Sequence, residues 1–339
     1  MPTSANPFPL RSSFYHSFCI LVCHSAVQLM PIRVLSLPVA NLQYVLECVD
    51  TCELIAFSLC SKRTKNLVTA SKRTIHSPTA YVFENHVHFV IREYTFPQDF
   101  NFELLRQSFK FHFYDKRAEL DGRCEVWKKQ EFTQKDWIAH FLKIFHQSTI
   151  HTLGIMNTSL SYLDTIKQFF PRCHRLFISA DCSKELTKIA FFKLFPIAEK
   201  VEFMKNIFDD ENDISKFLTQ NFKSLSFKDH KNPLKLTLDN LLVLNITDLT
   251  IDVANIREKE LNRFLKLWMK GNHTFYRPKV IKLSLEDEIE INCEEVFKGI
   301  KYEDVQYDED DFPTFRLMRG DGKEIQVFIA DNYIDFEVV

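Results

Sequence analysis

Apolar and polar positions along this chain follow two periods, one helical and one strand-like. Over residues 37–72 the apolar side chains of Leu42, Val45, Leu46 and Val49 recur at the spacing of an α-helix. This segment therefore predicts short helices, each with one apolar face.

Cap and turn residues predict where these helices begin and end. Pro38 suits the first turn of a helix, and the pair Asp50-Thr51 ends one helix and caps the next. A basic cluster at residues 62–65 follows the second helix, and cations are favourable near a helix C-terminus. We therefore place the end of the second helix at this cluster.

Residues 73–135 alternate more like strands. The runs Tyr81 to Ile91 and Ser108 to Tyr114 place apolar residues at every second position. We therefore interpret residues 76–147 as a β-rich connecting section.

A repeat begins near residue 148. An apolar-x-apolar signature recurs there at intervals of 23, 25, 24, 24 and 32 residues. Its first members are Leu153, Leu176, Val201, Leu225, Leu249 and Ile281. Four of these intervals lie within the roughly 20 to 29 residues of leucine-rich repeats. Helical patterns at 161–170, 184–195 and 257–271 lie between signatures, which is typical of strand-helix units that bury a face only against their neighbours.

The chain ends in a predicted hairpin, because Gly320-Asp321-Gly322 lies between two alternating runs. The expected fold class is α/β. It consists of a short N-terminal helical unit, followed by a leucine-rich-repeat-like strand-helix solenoid that the β-hairpin closes.

Composition narrows the function. The 339 residues are 45% hydrophobic and 26% charged, which is typical of an ordinary folded protein of one or two domains. A formal net charge of -2 provides no basic field for phosphate backbones, so no nucleic-acid partner is expected. Thirty-three Phe predict an interior filled by aromatic rings. Nine scattered Cys indicate reduced thiols in a cytoplasmic or nuclear protein.

Residues 1–30 are interpreted as a leader that is expected to be disordered. The apolar stretch 14–30 behind Arg11 resembles a weak signal peptide, but polar residues interrupt it and it is too short to span a bilayer. No membrane partner is expected. A secreted glycoprotein stays an alternative, with glycosylation sequons at Asn157, Asn245 and Asn272.

The sequence carries no recognisable catalytic motif. It lacks His-Glu-x-x-His, Gly-x-Ser-x-Gly and a Gly-rich nucleotide loop, so we expect neither an enzyme nor a cofactor. Four residues at helix-like spacing could form a zinc site, but no second ligand pair is evident. These residues are His16, Cys19, Cys23 and His24. No metal is expected.

The segment Leu37 to Val68 resembles an F-box. The resemblance rests on Leu37-Pro38, the two apolar helical pairs, the Val49-Asp50 turn and the Cys60 to Arg63 end. Members of that family fold this segment as a helical unit that docks on the Skp-type adaptor of a cullin-RING ubiquitin ligase. The resemblance implies an F-box at residues 31–75. It also implies a set of adaptor-facing or docking-core residues, formed by Leu37, Pro38, Leu42, Val45, Leu46, Leu54, Leu59 and Cys60.

The segment Leu236 to Gly271 resembles the type 2 F-box-associated domain of the expanded nematode F-box families. The matching positions are Asp239, Leu241, Leu242, Asn245, Leu261, Asn262, Phe264, Leu265 and Trp268. The resemblance implies an F-box-associated domain over residues 148–339 that captures a target for ubiquitination. The whole chain then resembles the substrate-recognition subunit of a Skp-cullin-F-box ligase. A repeat scaffold that works independently of ubiquitin, with residues 37–72 as its cap, stays an alternative.

Helical spacing separates two faces within this second motif. Leu261, Phe264, Leu265 and Trp268 lie at i, i+3, i+4 and i+7, which predicts a core face. The other positions are interpreted as solvated surface: Asn262, Arg263, Lys266 and Lys270.

Overall fold

The computed structural model describes residues 34–84, 86–94, 106–114, 117–120, 127–129, 131–208, 211–270, 277–285, 290–305 and 313–339. The chain forms two compact units. The described residues of the first unit are 34–75 and 139–148, and those of the second lie within 76–138 and 149–339. The leader, the zinc candidate near Cys19 and the sequon at Asn272 lie outside the described residues.

Short helices form the first unit. They are a 3-10 turn at Val34–Ser36, α1 at Val39–Cys48, α2 at Thr51–Cys60 and α3 at Lys62–Ala70. Pro38 is the residue just before α1, and the Asp50 carboxylate accepts a hydrogen bond of 2.8 Å from the Glu53 N–H at the start of α2. Both predicted helix starts are confirmed.

Helix α2 ends at Cys60, so the predicted helix end directly before the basic cluster at residues 62–65 is confirmed. The cluster itself begins α3, so its assignment to the C-terminus of the second helix was wrong. Ser61 and Thr64 form a capping box, in which the Thr64 N–H donates to Ser61 Oγ and the Ser61 N–H donates to Thr64 Oγ1. These bonds satisfy N–H groups that otherwise lack a partner in the first turn. The cap outweighs the unfavourable position of Lys62 at the positive end of the helix.

The second unit is built on a large sheet. Its N-terminal strands are β1 His76–Phe83, β2 Val87–Tyr94, β3 Arg106–Tyr114, β4 Arg117–Leu120 and β5 Trp127–Lys128. Helix α4, Gln134–Ile144, follows, and the boundary between the two units falls inside it after Ile138.

Strands and helices then alternate. Their order is β6 Ile150–Asn157, α5 Tyr162–Phe169, β7 Cys173–Ile178, α6 Lys184–Leu194, β8 Ala198–Phe203, α7 Glu211–Leu218 and β9 Phe222–Phe227. The order continues with β10 Leu234–Lys235, α8 Leu238–Leu242, β11 Ile246–Ile251, β12 Ala254–Asn255, α9 Glu258–Met269 and β13 Val280–Ser284. The last elements are α10 Cys293–Val296, β14 Glu303–Val305, β15 Thr314–Met318, β16 Glu324–Ala330 and β17 Tyr333–Val338.

The strands of the main sheet, as far as the chain is described, follow the order β14-β15-β16-β17-β13-β11-β9-β8-β7-β6-β1-β2-β3-β4-β5. From β6 to β13 the neighbouring strands are parallel and share one register. The first signature residues pair across this region in the order Leu153, Leu176, Val201, Leu225, Leu249 and Ile281. All six are buried. The repeat in the sequence is therefore one continuous buried row across the sheet.

A second apolar row, not recognised in the sequence, lies three residues before the first. Ile150, Cys173, Phe222 and Ile246 occupy this position and are each no more than 5% exposed. Each of these strands therefore supplies three apolar residues to the interior, in the pattern apolar-x-x-apolar-x-apolar.

Helices cover the buried face of the sheet through aromatic contacts. The Phe191 ring of α6 lies 5.3 Å from the Phe203 ring of β8, and the Phe217 ring of α7 lies 6.0 Å from the Phe227 ring of β9, between centroids. Edge and tilted ring pairs at such distances add attraction beyond the area they bury. The prediction of an aromatic interior is confirmed in this region.

The predicted C-terminal hairpin is present between β15 and β16, and its turn packs on the end of α9. The Gly320 N–H donates a 2.7 Å hydrogen bond to the Met269 carbonyl, which satisfies one of the last acceptors of that helix. A Cβ atom on Gly320 would lie 2.8 Å from the Lys270 carbonyl oxygen. Gly320 therefore allows the turn and the helix end to approach this closely.

Candidate docking surfaces

Helix α1 exposes two large apolar side chains, one in its first turn and one on the side opposite to its core. Leu42 and Leu46 are 4% and 2% exposed and face the interior of the first unit. Val39, in the first turn of the helix, is 78% exposed, and Tyr44, on the side opposite to Leu42 and Leu46, is 68% exposed. Leu35, in the turn before the helix, is 37% exposed. We call Leu35, Pro38, Val39 and Tyr44 the α1 ridge. Covering such a ridge removes apolar area from water, which is favourable.

The structure divides the predicted adaptor-facing set by accessibility. Three of its residues are buried inside the first unit: Leu42, Leu46 and Leu54. Three are half-buried: Leu37, Val45 and Leu59. Two are exposed: Pro38 and Cys60. The buried leucines shape the unit from within, and the remaining five are accessible to a partner.

Sequence reasoning missed Val39 and Tyr44. It followed the apolar positions of the family motif, and these two lie between them. For Tyr44 the signal was nevertheless present, because an aromatic residue on the side of a helix opposite to its Leu42-Leu46 face must lie in solvent or against a partner.

Residues 139–148 complete the first unit from far along the chain. The His140 side chain is 3% exposed, and its Nε2 lies 2.7 Å from Ser58 Oγ on α2. The Ser58 hydroxyl donates to the Ile55 carbonyl at 2.6 Å, so its proton is committed and Nε2 is the donor toward Ser58. Gln147 Nε2 donates to the Ile75 carbonyl at 3.1 Å. No local pattern in the sequence predicts these contacts, because the partners are more than 70 residues apart.

Two acidic side chains meet at the start of α2. Burial, followed by the charge and hydrogen bond of Asp50, raises the pKa of Glu53 to about 7. Asp50 itself caps the helix through the Glu53 N–H. The first unit thus contains a carboxyl group that changes its charge near neutral pH.

The second unit has an open face on the side of the sheet opposite to the signature residues. Side chains alternate between the two faces of a strand, so the residues between signature positions lie on this open face. One row across it pairs Glu202, Ser226, Thr250, Lys282 and Asp335. We call this side of strands β7 to β17 the open face.

Ion pairs link neighbouring strands on the open face. Arg175 pairs with Glu202, whose carboxylate also lies 3.4 Å from Lys228 Nζ. Lys282 Nζ lies 2.7 Å from the Asp335 carboxylate, and this pair raises the pKa of Lys282. Partly exposed pairs of this kind contribute little to stability, typically about 0 to 1 kcal/mol each.

Helix α9 mainly confirms its predicted faces. The four core residues of this helix are no more than 3% exposed: Leu261, Phe264, Leu265 and Trp268. The interpretation of Asn262 as solvated surface was wrong, because its amide donates to the Val296 and Lys298 carbonyls at 2.7 and 3.0 Å. An amide side chain there fixes the following loop by satisfying its carbonyls. Arg263, Lys266 and Lys270 are exposed.

The described residues offer little reactive chemistry. No three His, Cys, Asp or Glu side chains among them lie together so that they could hold a metal ion. Burial, with a smaller effect of Glu199, raises the pKa of the Cys173 thiol to about 12, and burial with Asp181 raises that of Cys182 to about 11. Both thiols therefore stay protonated and weakly nucleophilic. In the described part of the chain, no helix has the length and apolar content needed to cross a membrane.

Comparison with known families identifies both regions. Residues 34–76 match the F-box domain family, which covers α1 to α3 and the α1 ridge. Residues 213–277 match the family described as F-box associated, which covers β9 to α9 in the second unit. The protein therefore carries an F-box domain followed by an F-box-associated domain.

One curated relative is similar to the chain over most of its length. The chain is similar to the F-box associated domain-containing protein sdz-33 of Caenorhabditis elegans, with 22% identity over 311 residues. The alignment covers 88% of this chain and 94% of the relative. No solved structure matches the chain.

Proposed function

We propose that this protein is the substrate-recognition subunit of a Skp-cullin-F-box ubiquitin ligase. The first unit docks on a Skp-type adaptor, and the second unit binds a target protein that is then ubiquitinated and degraded. The observation that carries this proposal is the α1 ridge, which exposes Val39 and Tyr44 within the segment that matches the F-box domain. Exposed aromatic and aliphatic residues of this kind are typical centres of protein interfaces.

The role is non-catalytic. A receptor of this kind accelerates modification by holding a target lysine near the charged conjugating enzyme, which raises its effective concentration. It needs two binding surfaces and no nucleophile, metal or cofactor. The adaptor connects it to a cullin-RING ligase, and the ligase acts in the cytoplasm or nucleus, where reduced thiols are stable.

The second unit acts as a leucine-rich-repeat-like solenoid in this proposal. Three observations support it: the parallel strands share one register, a helical segment lies between successive strands, and three buried apolar positions recur in four of the strands. Units of this kind stack into extended surfaces suited to protein binding.

Point variants on the α1 ridge test the proposal. We expect Val39→Asp and Tyr44→Asp, combined in the full chain, to abolish co-purification with a Skp-type adaptor. A carboxylate at either position would be desolvated in the interface without a partner, which is costly. Both positions are exposed in the isolated protein, so the variant retains its fold, as circular dichroism would verify.

Phe192→Asp is the matched control. Phe192 is 60% exposed on α6 in the second unit, so the variant introduces one carboxylate of the same kind at a similar apolar position outside the F-box domain. Adaptor binding by wild type and by this control, but not by the ridge variant, supports the proposal. Failure of folded wild type to bind any adaptor would instead favour the scaffold that works independently of ubiquitin. Truncation before residue 76 is a poorer test, because residues 139–148 of the first unit would lose their partners.

A further inference from the structure

The open face of the second unit is electrically polarised along the sheet. At the positions that directly flank the signature residues on strands β7, β8 and β9, and at the residue directly after β9, the charged residues are Arg175, Lys200 and Lys228, with Glu202 as the one acid. Glu199 and Lys223, two positions before the signature residues, pair with each other at 3.1 Å and add no net charge. Glu202 is shared between Arg175 and Lys228, so this half has a net positive charge.

The other half of the open face is acidic. On strands β11, β13 and β17 and the residue directly after β11, the described charged residues are Asp248, Asp252, Asp335 and Glu337, with Lys282 as the one base. Lys282 neutralises Asp335, and Asp252 lies 3.8 Å from Lys228 at the boundary. Asp248 and Glu337 add uncompensated negative charge, so the sign reverses between β9 and β11. Both of these strands lie inside the segment that matches the F-box-associated family.

We propose that the open face binds a polypeptide segment whose charges are arranged in two blocks, an acidic block over β7 to β9 and a basic block over β11 to β17. This inference rests on the proposed role of the second unit in capturing a target. Charge complementarity favours such a segment, because a uniformly acidic or basic partner is repelled by one half of the face. Nucleic acid is repelled by the acidic half for the same reason.

The strand spacing sets the length of this segment. Six strands from β7 to β17 are neighbours in the sheet, so five intervals of about 4.8 Å give a span of roughly 24 Å. An α-helix rises about 1.5 Å per residue, so about 16 residues cross the face. The probe is therefore a 16-residue Ala-rich helical peptide with a Glu block followed by a Lys block.

The experiment measures binding of this block peptide to the full chain by fluorescence anisotropy at low salt. The comparison is a peptide of identical composition in which Glu and Lys alternate. We expect the block peptide to bind roughly tenfold tighter, because several partly exposed ion pairs each contribute a fraction of a kcal/mol. The difference should shrink as ionic strength rises.

A pair of charge reversals locates the effect without changing the net charge. Lys200→Glu combined with Glu337→Lys weakens the polarity of the open face and should remove most of the preference for the block peptide. The control, Lys167→Glu combined with Glu185→Lys, makes the same exchange on the exposed sides of α5 and α6 and should leave the preference intact.

Equal affinity of the two peptides, absence of binding, or a preference that survives the open-face reversals would each overturn the inference. The adaptor experiment is independent of these outcomes, because it probes the α1 ridge. If the protein prefers the block peptide but binds no adaptor, the inference about the open face is supported and the proposed ligase role is contradicted.

Discussion

At the scale of single residues, the Glu53 carboxyl group makes the stability of the first unit depend on pH. Its carboxyl group lies beside the capping carboxylate of Asp50, and its pKa is raised from 4.5 to about 7. A raised carboxyl pKa means that the folded state binds the proton more tightly than the unfolded state. This group therefore favours folding at low pH, and its contribution falls as the pH rises from about 4.5 to about 7.

Glu53→Gln tests this pH dependence. The amide carries no charge at any pH, so we expect the variant to be more stable than wild type at pH 8 and to lose that advantage near pH 5. Thermal unfolding of both proteins, compared at each pH, measures the difference. Glu47→Gln, at an exposed position of α1 in the same unit, is the control and should show no such change. An advantage of Glu53→Gln that does not vary with pH would contradict the assigned cause.

At the scale of elements, the contact between the β15-β16 turn and the end of α9 depends on the absence of a side chain at Gly320. We expect Gly320→Ala to destabilise the second unit by about 1 to 3 kcal/mol, because a methyl group must displace the Lys270 carbonyl. Urea unfolding followed by tryptophan fluorescence reports this loss, since Trp268 is buried on α9.

Lys323→Ala is the matched control in the same turn. Its side chain is exposed, so the substitution should change the unfolding free energy by less than about 0.5 kcal/mol. If both variants unfold at the same urea concentration as wild type, the close packing of the turn on α9 does not contribute to stability.

The elements that sequence could predict are those with a local period. The buried row that begins at Leu153 could be predicted, because its apolar-x-apolar signature recurs once in each strand-helix unit and is therefore visible in the sequence. The Gly320 to Gly322 turn was readable for the same reason. The sequence analysis did not predict the Ser61 cap, because the basic residues Lys62 and Arg63 were assigned to a helix end. In the structure, the capping hydrogen bonds of Ser61 fix the start of α3.

Long-range contacts and surfaces were beyond prediction. His140 reaches Ser58 across 82 positions, and neither residue is unusual in its local sequence. The open face was hidden for another reason, since its charges are spread over separate strands and become neighbours only through the sheet register. The role of three of the eight residues assigned to the adaptor-facing set also changes once burial is known, because buried residues such as Leu54 support the surface without forming it.

At the scale of the whole molecule, cysteine reactivity distinguishes the two proposed roles. In the first unit, Cys48 and Cys60 are exposed, and Cys48 lies one helical turn after Tyr44 of the α1 ridge. In the second unit, Cys173 and Cys182 are buried, and burial raises the pKa of both thiols. Brief treatment with iodoacetamide at pH 8, followed by mass spectrometry, should therefore modify the first pair and leave the second pair intact until urea unfolds the protein.

The same reaction in the presence of a Skp-type adaptor then separates receptor from scaffold. A receptor that docks through the α1 ridge should show slower alkylation of Cys48 and Cys60, because the adaptor excludes the reagent from that surface. Cys293, half-buried in the second unit, is the internal control and should react at an unchanged rate. If all three thiols react at unchanged rates with a saturating adaptor, the adaptor does not bind at the α1 ridge. The exposed ridge would then bind a different partner.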